Sequence, residues 1–144
     1  MARWRDVETA EPELARLVRA RFEAAKHSTL ATLRREGAPR ISGTEVRFED
    51  GELWIESMPD ARKALDLRRD PRLALHSPSE DPPEDDPSAW SGDAKVAGTA
   101  VETRPYLFRI EVTEVVLIRV GDPADHLTIE TWHPDRGREV VLRR

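Results

Sequence analysis

Two tight turns early in the chain separate three short β-prone segments, and this pattern restricts the fold more than any other feature of the sequence. The first turn contains Gly37-Ala38-Pro39, which separates segments 28–33 and 40–48. The second turn contains Asp50-Gly51, and an Asp-Gly pair between two strands favours a two-residue hairpin. The third segment covers 53–57. Three consecutive strands joined by tight turns predict an antiparallel meander.

The rest of the sequence adds two helices and further strands. Apolar residues at helical spacing, with Pro12 in the first turn, predict a helix over 11–26. A second helix is predicted over 61–69, with Asp60 as its N-cap and Asp70-Pro71 at its end. Further strands are predicted at 72–77, 94–103, 107–119 and 127–132, with 139–142 as an additional candidate. Six or seven mostly antiparallel strands with flanking helices predict a mainly β fold, a closed or half-closed barrel.

Length, charge and composition exclude several classes of protein. The 144 residues predict a single domain, 1–144, and the absence of cysteine excludes disulfides and thiolate metal sites. A formal net charge of −5 argues against a nucleic-acid partner, because phosphate contacts require a basic surface. Neither a membrane-length apolar run nor an N-terminal signal segment is evident, so we expect a cytoplasmic protein with no membrane partner. Residues 78–92, which we call the acidic loop, are rich in proline and carboxylates and predict a surface loop.

The first candidate site is the start of the second predicted helix. Ser57 ends a predicted strand, and Arg62 and Lys63 follow in the first turn of the helix. Unpaired N–H groups and the helix dipole favour an anion at this position, and two cations there are unfavourable unless an anion compensates them. The alternative is that Arg62 and Lys63 are solvated helix residues and that Asp60 caps the helix.

The second candidate is Arg40-Ile41-Ser42-Gly43-Thr44, in which alternate residues share one face of a strand. The polar face, Arg40, Ser42 and Thr44, would meet water, a ligand or a partner chain. Gly43 would allow a flat ligand to approach the backbone closely. The alternative is an ordinary solvent-facing side of a strand.

The third candidate combines Trp90, at the end of the acidic loop, with Lys95 in the next strand. The indole could cover a ring system and the lysine could reach a phosphate. The alternative is a tryptophan in the core or in a dimer contact. The four histidines have no metal-ligand spacing, and neither a nucleophile elbow nor a glycine-rich nucleotide loop is present. We therefore expect no metal site, and an enzyme of this sequence would depend on a cofactor for its chemistry.

Taken together, these segments resemble the pyridoxamine 5'-phosphate oxidase-like superfamily. The resemblance covers roughly residues 10 to 120 and rests on Ala31-Thr32-Leu33, Gly37-Ala38-Pro39, Asp50-Gly51-Glu52-Leu53-Trp54 and the run from Ala61-Arg62-Lys63 to Asp70-Pro71-Arg72. It implies an FMN-binding split barrel that forms a homodimer with cofactor sites at the interface. Some relatives bind the deazaflavin F420 instead of FMN.

The resemblance also implies roles for particular residues. Arg62 and Lys63 would grip the cofactor phosphate, the strand Arg40-Ile41-Ser42-Gly43-Thr44 would line the cofactor, and Ser57 would place a hydroxyl near it. Trp90 and Lys95 would contact the cofactor of the partner subunit. The chain departs from the family pattern at Ala61, where relatives have serine, and it lacks the C-terminal substrate signature of the oxidase itself.

These implications leave three functions open. The first is an oxidoreductase that uses FMN, or alternatively F420, on a small-molecule substrate. The second is a non-catalytic dimer that binds or sequesters the cofactor, and the third is a dimeric scaffold with an empty site. F420 carries an acidic oligoglutamate tail that would need a longer basic groove, for which Arg40, Arg68 and Arg69 are candidates.

Overall fold

Both predicted hairpins are present in one continuous antiparallel sheet, but the predicted three-stranded meander is wrong. Segment 28–33 pairs with 39–44 and segment 46–49 pairs with 52–56, and these two hairpins lie at opposite ends of the strand order. In the computed structural model, which describes residues 1–144, the helices are α1 (Trp4–Ala10), α2 (Pro12–Phe22) and α3 (Arg62–Arg69). The strands are β1 (Ser28–Leu33), β2 (Pro39–Thr44), β3 (Val46–Glu49), β4 (Glu52–Glu56), β5 (Arg72–His76), β6 (Asp93–Arg104), β7 (Leu107–Val120), β8 (Leu127–His133) and β9 (Gly137–Arg143).

The strand order is β2-β1-β5-β6-β7-β4-β3, with a β8–β9 hairpin attached to β7. The long strand β7 connects the two parts of the sheet, because residues 107–109 pair with β4 and residues 115–120 pair with β8. A mainly β split-barrel fold with flanking helices is therefore confirmed. The strands number nine rather than six or seven, since the predicted strand 40–48 divides at Glu45 and the C-terminal segment forms a full hairpin.

The turn between β3 and β4 has the backbone that its sequence predicts. Asp50 and Gly51 adopt φ angles of 55° and 73°, and Glu49 pairs with Glu52 across the turn. Two consecutive positive φ angles match the right-handed twist of the strands that they connect.

The N-terminal region differs from the predicted helix over 11–26. That helix begins at Pro12 and ends at Phe22, and a separate helix, α1, precedes it. The ring of Trp4 in α1 packs edge-on against Phe48, with 4.9 Å between ring centroids. Helix α1 was not predicted, because it is short and buries only Trp4 and Val7.

The two longer helices cover different parts of the sheet. Helix α2 packs against β6 and β7, whereas α3 packs against β1 and so lies beside the β1–β2 hairpin. Both contribute to a single apolar core, in which Phe22, Leu30 and Phe108 are almost fully buried. None of the helices is both long enough and apolar enough to span a membrane.

The acidic loop is irregular apart from a short 3-10 helix, Pro87–Ala89. Glu80 fixes its beginning, because the carboxylate pairs with Arg21 of α2 at 3.2 Å. The indole N–H of Trp90 donates to the carbonyl oxygen of Glu80 at 2.7 Å, which ties the end of the loop to its beginning.

Candidate functional site

The start of α3 carries no side-chain cap. The prediction that Asp60 is the N-cap is wrong: Ala61 occupies that position, and Asp60 has a φ of 62° and accepts a hydrogen bond from the Tyr106 hydroxyl at 3.1 Å. The backbone N–H groups of Arg62 and Lys63 have no acceptor within the chain. Two free donors at the positive end of the helix dipole form a local environment that favours an anion.

Lys63 places a positive charge beside these free N–H groups. Its Nζ donates to the carbonyl oxygen of Gly43 at 2.9 Å, which fixes the half-buried side chain between α3 and the end of β2. Burial lowers the pKa of the Lys63 ammonium, and the nearby Glu45 carboxylate raises it by less, so the net pKa lies below its usual value. A bound anion would restore the favourable environment that burial removes from this ammonium.

An open groove of about 580 Å³ surrounds the Lys63 side chain, and we call it the Lys63 groove. Its lining combines the ends of β2 and β4 with the start of α3: His27, Gly43, Thr44, Glu45, Val46, Arg47, Trp54, Glu56, Ser57, Met58 and Lys63. Four of the ten predicted site residues therefore meet here, namely Gly43, Thr44, Ser57 and Lys63. The volume lies within the range of about 300–1,000 Å³ that is typical of small-molecule sites.

The polar face of β2 is confirmed as a set of alternating residues, but its members have different surroundings. Arg40, Ser42 and Thr44 are half-buried or buried, whereas Ile41 and Gly43 point to the opposite, exposed face. Arg40 is held by Asp66, to which its Nε donates at 2.7 Å. Only Thr44 of the three reaches the Lys63 groove.

Asp66 is the centre of a buried polar cluster that the sequence analysis missed. Its side chain lies under α3 with 3% of the residue exposed, and it accepts hydrogen bonds from Thr32 at 2.8 Å, Arg40 at 2.7 Å and Arg69 at 3.0 Å. Burial raises the pKa of the Asp66 carboxyl, but the hydrogen bonds from Arg40, Thr32 and Arg69 outweigh it and the net pKa is lowered. Asp66 therefore stays ionised and locks α3 onto the β1–β2 hairpin.

The side chain of Arg62 does not share the Lys63 groove. It lines a second groove of about 280 Å³ between α3 and the β1–β2 turn, which we call the arginine groove. The lining residues are Arg34, Arg35, Glu36, Arg40, Arg62, Leu65, Asp66 and Arg69. Because consecutive helix residues point about 100° apart, Arg62 and Lys63 line two different grooves, which share no lining residue.

Ile41 and Lys95 lie on the outer face of the sheet. Ile41, Ala31, Ala74 and Ala97 follow one another in register across β2, β1, β5 and β6, so that small apolar side chains form one row. Ile41 is 74% exposed at the end of this row, and Lys95 lines the same shallow depression of about 210 Å³. We call this surface the apolar face.

Trp90 lies in none of these three depressions. Within one chain its indole N–H donates to the carbonyl oxygen of Glu80 and so stabilises the acidic loop. Arg68, a candidate for a basic groove, is also engaged: it forms an ion pair with Glu102 at 2.7 Å, and its guanidinium lies 4.5 Å from the ring centroid of Tyr106.

Comparison with solved structures shows where this fold occurs. The chain is similar to PhzG from Burkholderia lata, crystallised with tetrahydrophenazine-1-carboxylic acid, with a TM-score of 0.64, 11% identity, and coverage of 96% of this chain and 92% of PhzG. It is similar to a pyridoxamine 5'-phosphate oxidase-related, FMN-binding protein from Nostoc punctiforme, with a TM-score of 0.62, 11% identity, and coverage of 93% and 96%. A protein of unknown function from Agrobacterium tumefaciens gives a TM-score of 0.55 at 18% identity, and the match covers 74% of this chain and 56% of that protein. At these identities the likeness concerns the fold alone.

The family is shown by comparison of the sequence with protein-family models. Among curated proteins no sequence matches. The family model described as pyridoxamine 5'-phosphate oxidase, however, matches residues 14–119, which include strands β1 to β6, α3 and most of β7. The matched region thus contains both grooves at the start of α3 and the apolar face. The chain belongs to the pyridoxamine 5'-phosphate oxidase family.

Proposed function

We propose that the protein binds a phosphorylated flavin-type cofactor, FMN or alternatively F420, in the Lys63 groove and acts as an oxidoreductase on a small-molecule substrate. The observation that carries the proposal is the uncapped start of α3 beside the Lys63 ammonium. The FMN-binding relative from Nostoc punctiforme, which has the same fold, supports it.

The phosphate would lie at the start of α3. The backbone N–H groups of Arg62 and Lys63 would donate to its oxygens, and the Lys63 ammonium would neutralise part of its charge. The Ser57 hydroxyl, which donates to the carbonyl oxygen of Met58 at 2.9 Å, lines the same groove and can rotate toward a phosphate. The Arg62 guanidinium would contribute from the neighbouring groove, so its share of the binding is smaller than that of Lys63.

The ring system would lie against β2. This strand is at an edge of the sheet, and a Cβ added at Gly43 would meet no atom of the chain within 4 Å. A flat ligand could therefore approach the backbone at Gly43 without displacing protein atoms. The bound cofactor would supply the hydride or electron transfer, whereas the groove would bind and orient it.

A homodimer would complete the site. The apolar face, with Ile41 at its margin and Ala31, Ala74 and Ala97 in one row, is suited to close contact with a second copy of the chain. Such contact would bring Lys95, and with it the end of the acidic loop at Trp90, toward the partner's cofactor.

A non-catalytic cofactor-binding dimer is the second candidate. The side chains around Lys63 favour this second function, because they include no buried acid–base pair. The one histidine in the groove, His27, is exposed and lies 3.7 Å from Glu45. Steady-state turnover with a panel of electron donors and acceptors separates the two functions. Turnover above the rate of free cofactor supports the oxidoreductase, and its absence with every pair supports the binding protein.

Neighbouring single variants test the site. We expect Lys63→Ala to weaken FMN or F420 binding by about tenfold or more, because a hydrogen bond from a charged donor contributes about 1.5–3 kcal/mol. Arg62→Ala is the matched control, since it removes one positive charge from the adjacent residue, and we expect a smaller loss. Fluorescence titration of apo-protein measures both. Equal affinity of wild type and Lys63→Ala would exclude the phosphate from this position.

A further inference from the structure

The arginine groove carries more positive charge than the structure of the chain requires. Five arginines and two carboxylates line it, so its formal charge is +3. Asp66 accounts for two of the arginines, because it forms ion pairs with Arg40 at 2.7 Å and with Arg69 at 3.0 Å. The remaining three have no such structural role.

Arginines without an ion pair are uncommon in this molecule. Fifteen of the twenty arginines have a carboxylate or other acidic partner within 4.0 Å. The five that have none are Arg34, Arg35, Arg62, Arg104 and Arg143. Three of these five line the arginine groove. Arg34, Arg35 and Arg62 are exposed. Carboxylates are plentiful in a chain with a net charge of −5, yet none pairs with these three arginines, so the groove holds an excess of positive charge that an anionic ligand would neutralise.

The shape and lining of the groove restrict the ligand. Its volume of about 280 Å³ is roughly half that of the Lys63 groove, and Leu65 is its one apolar lining residue. A ring system would find little apolar surface there. Guanidinium groups instead present paired N–H donors that match the oxygens of phosphate and carboxylate groups.

We infer that the arginine groove binds a small polyanion, with two or more phosphate or carboxylate groups, between the β1–β2 turn and α3. Arg34 and Arg35 approach the anion from the turn, and Arg62 approaches it from the helix. The site is separate from the phosphate position at Lys63, although the consecutive residues Arg62 and Lys63 line the two grooves. The polyanion is either a free ligand or an acidic extension of the bound cofactor, and only the second source rests on the proposed function.

Calorimetric titration with inorganic pyrophosphate tests the site on the full chain. We expect the double variant Arg34→Ala/Arg35→Ala to weaken pyrophosphate binding by about tenfold or more, because two charged hydrogen-bond donors are lost. The matched control is Arg104→Ala/Arg143→Ala, which removes two unpartnered arginines elsewhere and should leave the affinity unchanged. No pyrophosphate binding by the wild type, or the same loss in both double variants, would overturn the inference.

Two further arms identify the source of the anion and separate this inference from the proposed function. If Lys63→Ala abolishes pyrophosphate binding and Arg34→Ala/Arg35→Ala does not, the anion occupies the Lys63 groove and the inference fails while the proposed function stands. If the Arg34→Ala/Arg35→Ala variant loses affinity for F420, with its acidic tail, but not for FMN, the polyanion belongs to the cofactor. If the Arg34→Ala/Arg35→Ala variant loses affinity for pyrophosphate but keeps its affinity for both F420 and FMN, the polyanion is a free ligand.

Discussion

The Asp66 cluster gives a quantitative test of how α3 is held against the sheet. Asp66→Asn keeps the size of the side chain but removes the charge that Arg40 and Arg69 share. Removing one partner of a buried ion pair costs about 3–5 kcal/mol. The side chains of Arg40 and Arg69 retain 17% and 30% exposure, so part of their charge is solvated after the change. We therefore expect a loss of about 2–4 kcal/mol.

Urea unfolding followed by tryptophan fluorescence measures this loss. The matched control is Asp70→Asn, since Asp70 also forms an ion pair with an arginine, Arg72, but on the exposed surface. Surface pairs contribute little, so this control should unfold close to the wild type. A loss of about 3 kcal/mol should also lower the Tm by roughly 10 °C in a chain of this size.

The pH dependence gives an independent check on the same cluster. The pKa of Asp66 is lower in the folded protein than in the unfolded chain. Its contribution is therefore complete above the unfolded pKa of about 3.9 and is lost as the pH falls through the folded pKa. The stability difference between wild type and Asp66→Asn should be constant near neutral pH and shrink in acid. Equal midpoints at pH 7, or a difference that grows in acid, would refute this account of the cluster.

Two other predictions concern the proposed site. The pKa of the Lys63 ammonium is lowered, so cofactor affinity should begin to fall at a lower alkaline pH than it would with an ordinary lysine. Lys63→Arg should move this fall to higher pH, because arginine stays charged. Fluorescence titration across pH measures both profiles, and superimposable profiles would contradict the prediction. Ile41→Asp, at the margin of the apolar face, should convert the expected dimer to a monomer in light-scattering chromatography, whereas an unchanged mass would place the dimer contact elsewhere.

Features that depend on neighbouring residues were predictable from the sequence. The Asp50-Gly51 turn, the two hairpins and the placement of Pro12 in the first turn of a helix follow from local backbone preferences. That the two hairpins would lie at opposite ends of the sheet, rather than form one meander, was not predictable from these local signals. The alternation along β2 was also predictable, because successive strand residues point to opposite faces. What the alternation could not show is that Arg40 would be held by Asp66 under α3.

Features that depend on distant residues were not predictable. Aspartate is a favoured N-cap residue, and Asp60 directly precedes the predicted helix. The hydroxyl of Tyr106, 46 positions away, instead donates to the Asp60 carboxylate, and Ala61 occupies the N-cap position. The different directions of Arg62 and Lys63 follow from helix geometry. Which groove each enters nevertheless depends on how α3 lies over the β1–β2 hairpin. The start of α3 was therefore predictable from the sequence. That Arg62 and Lys63 line two different grooves was not.

The most direct test of the central claim is the absorption spectrum and mass of whatever small molecule co-purifies with the protein from its native host. We expect the visible absorption of a flavin or deazaflavin and the mass of a phosphorylated cofactor, FMN or F420, and we expect the Lys63→Ala variant to retain less of the chromophore. A colourless protein that also takes up neither FMN nor F420 when each is added would contradict the account.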